Sequence, residues 1–176
     1  FATIANSGQQ CKPQSIESVT DRDENVLKEF AADCKEVISP DVANKTAALL
    51  TASAGQYYTS TRLGDGRPFA AKSGTTDGHA NTWLTGFTPS LATSAWVGHG
   101  DNSSQEVSGV VINGVYHSEI FGETYVGQNI WAPYMTQALA GTPVEAVSNA
   151  NIGATTPQRG ATPTPTPSAS PTSNDH

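Results

Sequence analysis

Between Pro68 and Gly98 three short runs rich in strand-forming residues follow one another: Pro68 to Thr75, Thr82 to Thr88 and Leu91 to Gly98. Only Pro89-Ser90 separates the last two, which predicts a tight hairpin with Trp83, Thr85 and Phe87 on one face and Leu84 and Gly86 on the other. Upstream, Ser39-Pro40-Asp41 combines an N-cap hydroxyl, a proline suited to a first helical turn and an acid beside the positive end of the helix dipole. Val42, Leu49 and Leu50, with alanines at 43, 47 and 48, extend this into a helix from Pro40 to Ser53 that ends before Gly55. Gly55 to Pro68, with Tyr57-Tyr58, reads as a loop. Val107 to Gly127 is rich in Gly and Val, and its Asn113-Gly114 dipeptide predicts a further hairpin turn. Over Asn129 to Ala140, the residues Ile130, Trp131, Tyr134, Met135, Ala138 and Leu139 recur at helical spacing and would lay an apolar face on the sheet. The expected class is α+β, an antiparallel sheet with packed helices.

At 176 residues the chain suits one domain of ordinary size. Apolar residues thin out after Gly141, so residues 1–141 are expected to fold and residues 142–176 to form a disordered tail. From Thr142 onward there is no Trp, Tyr or Phe and there are six of the eleven prolines, a composition that cannot offset its chain entropy. A spacer or O-glycosylated stalk and a solvated terminus without a specific task fit it equally. The formal net charge is -7 and the few lysines and arginines stand singly, which excludes the basic stripe of a nucleic-acid binder. No run approaches the roughly 18 apolar residues of a membrane span, so an anchor would lie outside this chain. The start at Phe1, without Met or a leader, is expected of a piece of something longer.

Cys11 and Cys34 flank a second predicted hairpin, Ile16 to Val19, a charged turn at Asp21 to Asn25, then Val26 to Phe30. A hairpin returns its ends together, so a Cys11–Cys34 disulfide in an oxidising compartment is the expectation. Two buried thiols in a reduced protein remain the alternative. A metal site is a poor rival, since the pair lacks C-x-x-C spacing and no His lies near.

Lys72-Ser73-Gly74-Thr75-Thr76 closes the first of the three strand runs. A cation, two hydroxyls and a glycine on a strand edge let a substrate lie along the backbone as an added strand, bind a carboxylate and offer a free N–H to an oxyanion. A surface turn after a strand is the bland alternative. Around it stand Arg67 to Thr76, then Trp83-Leu84-Thr85-Gly86-Phe87-Thr88-Pro89, then Ala95-Trp96-Val97-Gly98, then Ile130-Trp131-Ala132-Pro133-Tyr134-Met135, with Phe1-Ala2-Thr3-Ile4-Ala5-Asn6-Ser7-Gly8 at the start. In order and spacing these resemble the C-terminal part of the transpeptidase domain of a penicillin-binding protein. The bracketed hairpin and the Pro/Thr-rich tail are similar to bifunctional (class A) enzymes of the actinobacterial type.

The resemblance implies the penicillin-binding protein and serine β-lactamase fold and a peptidoglycan DD-transpeptidase. Lys72 would then supply positive potential and help relay protons, the Ser73 and Thr75 hydroxyls would hold the substrate carboxylate, Thr75 N–H would complete an oxyanion hole, and Gly74 would leave room for the acyl chain beside Thr76. The implied partners are a stem peptide ending in D-Ala-D-Ala, β-lactams and the upstream part of the same enzyme, on the extracytoplasmic face of the plasma membrane in contact with the cell wall. No cofactor is implied. The family's nucleophile motif S-x-x-K and its S-x-N motif are both absent: the residues three before Lys12, Lys28, Lys35, Lys45 and Lys72 are Gln9, Asn25, Ala32, Val42 and Phe69. Asn81 stands where the family commonly has Asp, Leu84 where it has Phe and Glu24 where it has Gly. Its Gly-Thr segment reads Gly55-Gln56 here, so the loop through Tyr57 and Tyr58 is expected to take a different shape, and its role is open.

A serine β-lactamase or DD-carboxypeptidase shares the K-[ST]-G strand, but the Trp83 to Pro89 and Ile130 to Met135 motifs and the tail speak against it. A catalytically inactive wall-binding module is the reading from another class, supported by the missing nucleophile. His79 lies near the motif but reads as a solvated loop histidine, and His99, His117 and His176 are too dispersed for a metal. Asp77 and Asp101 read as loop carboxylates. Trp83, Trp96 and Trp131 suggest a sugar platform, yet each falls on a strand or helix face where a place in the core is the expectation.

Overall fold

A computed structural model describes residues 1–148. In chain order they form α1 (Ala2–Ala5), β1 (Gln9–Cys11), β2 (Ser18–Thr20), β3 (Val26–Glu29), β4 (Cys34–Glu36), α2 (Pro40–Tyr57), β5 (Ala70–Thr75), β6 (Asn81–Thr88), β7 (Leu91–Gly98), β8 (Val110–Ile112) and β9 (Val115–His117). A wide-turned π-helix, Gly122–Trp131, then runs directly into α3 (Ala132–Ala138). The centre is the antiparallel sheet β5-β6-β7, with Leu84 opposite Ser73 on one side and Ala95 on the other. The α+β class read from the chain is the one observed.

One face of this sheet, through Ala71, Leu84 and Ala95, packs against Ile120, Val126, Trp131 and Met135 of the π-helix region and α3. Full burial of side chains this large is the main stabilising term, about 1.5–3 kcal/mol each. Gly86 is required here, because a Cβ would lie 2.7 Å from the Trp131 ring and 2.8 Å from the Ala70 carbonyl oxygen. The Trp131 indole N–H donates to the Thr93 carbonyl at 3.1 Å, so the ring is fixed across two strands. Among the described residues the other face is covered only at one end, where Ala70, Phe87 and Ala92 meet Ile4 and Ala5 of α1 and Ala47 and Leu50 of α2.

α2 begins as predicted: Ser39 Oγ accepts the Val42 N–H at 3.4 Å, Pro40 sits at the first turn and Lys45 pairs with Asp41 at 2.9 Å. It ends later than Ser53, passing through Gly55 to Tyr57. Glycine in a helix costs about 1 kcal/mol relative to alanine, and burial of Ala54 and Tyr58 offsets that. The final helix also departs from its pattern. Helical turns begin at Gly122, seven residues before the expected Asn129, and only part of the expected apolar face is buried: Trp131, Met135 and Leu139 are inside, while Ile130 and Tyr134 are exposed.

The long predicted hairpin exists as two ladders. β2 pairs with β3 around the Asp21 turn, and nearer the base β1 pairs with β4, with Cys11 directly opposite Cys34 and bridged to it. Asp21 holds the turn by accepting from the backbone N–H groups of Asp23 and Asn25 at 2.8 and 2.9 Å, and from the Asn25 side chain at 2.9 Å. Those bonds, the Asn25 side chain foremost, hold its carboxyl below the ordinary value. The β8-β9 hairpin turns at Asn113-Gly114, both with positive φ, as the dipeptide predicts.

The first residues read as tail lie against the domain. Thr142 accepts from Arg67 through its hydroxyl at 2.8 Å and its carbonyl at 3.1 Å, and Val147 packs on Ala47, Ala70 and Phe87. The disordered tail read from the sequence otherwise lies outside the described residues.

Candidate functional site: the free edge of strand β5

β5 has β6 on one side, and among the described residues no strand pairs its other edge. Which groups point outward follows from the ladder. The Ser73 N–H donates to the Tyr58 hydroxyl at 2.9 Å, away from β6, so the Ser73–Leu84 pair is a non-hydrogen-bonded one. By strand alternation Thr75, opposite Thr82, also turns its N–H and C=O outward, and the Thr76 N–H turns back to the Asn81 carbonyl at 3.0 Å. The Thr75 hydroxyl has no partner among the described residues.

The motif residues are thus brought to one accessible place. Lys72, Gly74, Thr75 and Thr76 are exposed and Ser73 is half-buried. Lys72 Nζ donates to the Ser73 carbonyl at 3.0 Å, so its charge is held over the edge. Gly74 faces Trp83, and open space lies over its remaining surroundings. A cavity of about 340 Å³ opens beside Lys72 and Ser73, with Ser53, Tyr57, Tyr58 and Glu123 as its other walls. Thr76 closes the strand by accepting the Asn81 N–H at 3.0 Å, which fixes the turn that carries His79. The arrangement can take an extended peptide by backbone pairing, hold an anion beside a cation and two hydroxyls, and present an N–H to a developing oxyanion.

Sequence reasoning missed Tyr58 and Glu123. Tyr58 is 2% exposed, with its hydroxyl on the Ser73 amide. The only signal was a tyrosine pair in a polar loop, which does not reveal a partner fifteen residues away. Other expectations need correction. Trp131 is in the core, but Trp83 and Trp96 are 42% and 39% exposed. They sit cross-strand on the uncovered end of the sheet, their rings 6.0 Å apart, with the Trp96 indole N–H donating to Asn81 at 3.0 Å. The face was read correctly and its cover was not, because no helix among the described residues reaches that end. His79 packs its ring on Phe121 at 5.1 Å and gives its carbonyl to Val107 N–H, a structural placement. Asp77 and Asp101 are exposed.

No family model matches the chain. Individual relatives do. Penicillin-binding protein 1A of Mycolicibacterium smegmatis is 34% identical over 175 residues, covering 94% of this chain and 21% of that protein. Penicillin-binding protein 1A of Mycobacterium tuberculosis is 35% identical over 152 residues, 81% of this chain and 17% of that one. Penicillin-binding protein 2D of Bacillus subtilis is 34% identical over 156 residues, 81% and 20%. The chain is homologous to the class A penicillin-binding proteins. It spans about a fifth of the length of these relatives. Among solved structures, penicillin-binding protein A of M. tuberculosis, an imipenem acyl-enzyme complex, is 23% identical with a TM-score of 0.48 over 60% of this chain and 24% of that one. In this class A homologue no described helix is long and apolar enough to cross a membrane.

Proposed function

We propose that the chain supplies one wall of the active-site cleft of a peptidoglycan DD-transpeptidase, and that the nucleophilic serine belongs to a part of the protein outside it. The observation that carries this reading is the open β5 edge, where Lys72, Ser73 and Thr75 meet an outward-facing Thr75 N–H. A stem peptide ending in D-Ala-D-Ala lies along that edge. Lys72 and the Ser73 and Thr75 hydroxyls take the terminal carboxylate. As the serine oxygen bonds to the penultimate carbonyl carbon, charge builds on the carbonyl oxygen, and the Thr75 N–H is placed to stabilise it. The terminal D-Ala leaves with a proton, and the amine of a neighbouring stem peptide then displaces the serine to form the cross-link. A β-lactam presents the same carboxylate and acyl carbon and acylates the same serine. The setting is the outer face of the plasma membrane, beside the wall, and no step needs a cofactor.

The test is acylation by a labelled penicillin in the full-length protein. Lys72→Ala removes a preorganised charge and lowers the acylation rate about 100-fold. Thr75→Ala keeps the N–H and loses the hydroxyl, so it weakens penicillin binding more than the acylation step. Unchanged acylation in both variants overturns the reading.

A further inference from the structure

Three residues of β5 direct backbone groups to its free side, and they are not equally available. Ala71 is fully buried. Ser73 is already satisfied by its own chain: its N–H donates to Tyr58 Oη at 2.9 Å and its C=O accepts from Lys72 Nζ at 3.0 Å. A longer contact of 3.4 Å runs from the Tyr58 hydroxyl to Ser73 Oγ. Only Thr75 is open. Tyr58 is itself 2% exposed within the buried cluster that includes Leu63, Phe69 and Ala71, so its ring is fixed by the core and its hydroxyl is aimed at the edge. A phenol can accept and donate at once, and here it does both toward one residue.

We infer that Tyr58 is a positioning residue that ends the peptide-pairing edge at Thr75 and thereby makes the site selective for a chain terminus. The inference rests on the reading of β5 as the substrate edge. An antiparallel arrangement lets one residue exchange both hydrogen bonds with one partner, which suits an edge with a single open residue. A peptide added to β5 in that sense runs from the Thr75 end toward Ser73, so its C-terminal side meets Tyr58. A peptide that stops there leaves a carboxylate beside the Ser73 hydroxyl and Lys72. A peptide that continues would need the Ser73 N–H for its next pair, and Tyr58 holds that group. A backbone polar group left unpaired on binding loses a hydrogen bond it had in water, which discriminates against extension.

Two measurements test this, both with Tyr58→Phe, which keeps the ring in the core and removes only the hydroxyl. In this chain, amide hydrogen exchange at Ser73 accelerates about tenfold while the Lys72 and Gly74 amides facing β6 are unchanged. In the full-length protein, kcat/KM is compared for an N-acyl peptide ending in D-Ala-D-Ala and the same peptide extended by one glycine. The wild type prefers the free terminus, and Tyr58→Phe narrows the preference about fivefold or more through gain on the extended peptide. Unaltered Ser73 exchange overturns the inference, and so does a preference that stays constant, including equal loss on both peptides. A wild-type protein that neither turns over the terminal peptide nor is acylated by penicillin overturns the transpeptidase reading instead, and the exchange experiment still decides the role of Tyr58.

Discussion

Thr88 shows how a single residue departs from the packing around it. It is 1% exposed at the end of β6, and its hydroxyl has no hydrogen-bond partner among the described residues. Thr82, near the other end of β6 and equally buried, donates to the Ile120 carbonyl at 2.9 Å and so ties β6 to the segment before the π-helix. An unpaired buried hydroxyl is a desolvation cost, so Thr88→Val, of nearly the same shape, stabilises the protein by about 1 kcal/mol. A denaturant titration checks this: the midpoint rises with an unchanged slope. The same substitution at Thr82 destabilises, since there it orphans a carbonyl. Alternation along β6 places both threonines on one face, but only the tertiary surroundings distinguish the bonded hydroxyl from the unbonded one.

Between elements, Arg67 is the main polar clasp. Its side chain is 3% exposed, and it donates to the Leu139 carbonyl at 3.2 Å and to Thr142, joining the approach to β5 to the end of α3. Asp65 pairs with it, accepting from Nε at 2.8 Å. That side-chain hydrogen bond, followed by one from the Arg67 backbone, holds the Asp65 carboxyl below its ordinary value. A depressed carboxyl binds fewer protons folded than unfolded, so its contribution is present above the unfolded value and is lost as pH falls through the folded one. Thermal midpoints measured on acidification below about pH 4 therefore drop more steeply in the wild type than in Asp65→Asn. The β1-to-β4 arm is a second element held mainly by one link. Its residues are almost all exposed, so the Cys11–Cys34 bridge carries much of its order. Closing a loop of this size contributes about 3 kcal/mol in the chain-entropy account. Cys11→Ser/Cys34→Ser accelerates amide exchange through Gln9–Glu36 and leaves the β5-β6-β7 ladder protected, which hydrogen exchange reads directly.

At the scale of the whole molecule the sheet is covered on one face and half-covered on the other. Trp83 and Trp96 lie at the uncovered end, on the face that also bears Lys72 and Gly74. No serine in the chain has a lysine three residues later, and Ser73 stands on the wall proposed to bind the carboxylate, its amide held by Tyr58. A serine becomes nucleophilic only beside a base placed to take its proton. The expected outcome is that this chain by itself forms no covalent adduct with a β-lactam. Intact mass spectrometry after incubation with penicillin checks it, and a stoichiometric adduct on any serine would show that the nucleophile lies within these 176 residues.

The amino-acid order by itself determined what depends on near neighbours. Pro89-Ser90 and Asn113-Gly114 set their hairpins, Ser39-Pro40-Asp41 started α2, and the flanked hairpin put Cys11 opposite Cys34, because turns and caps are decided within a few residues. Lys72-Ser73-Gly74-Thr75, with its order relative to the tryptophan motifs, was equally legible. Tertiary structure alone decided the rest. α2 continued through Gly55 because Tyr58 had a core to enter, Trp83 and Trp96 stayed exposed because no helix among the described residues reached them, and Thr75 became the open edge residue because Tyr58 took the amide of Ser73. Periodicity names the face a side chain is on, whereas whether that face is covered, and by which distant hydroxyl an edge is closed, depends on contacts between segments far apart in the chain.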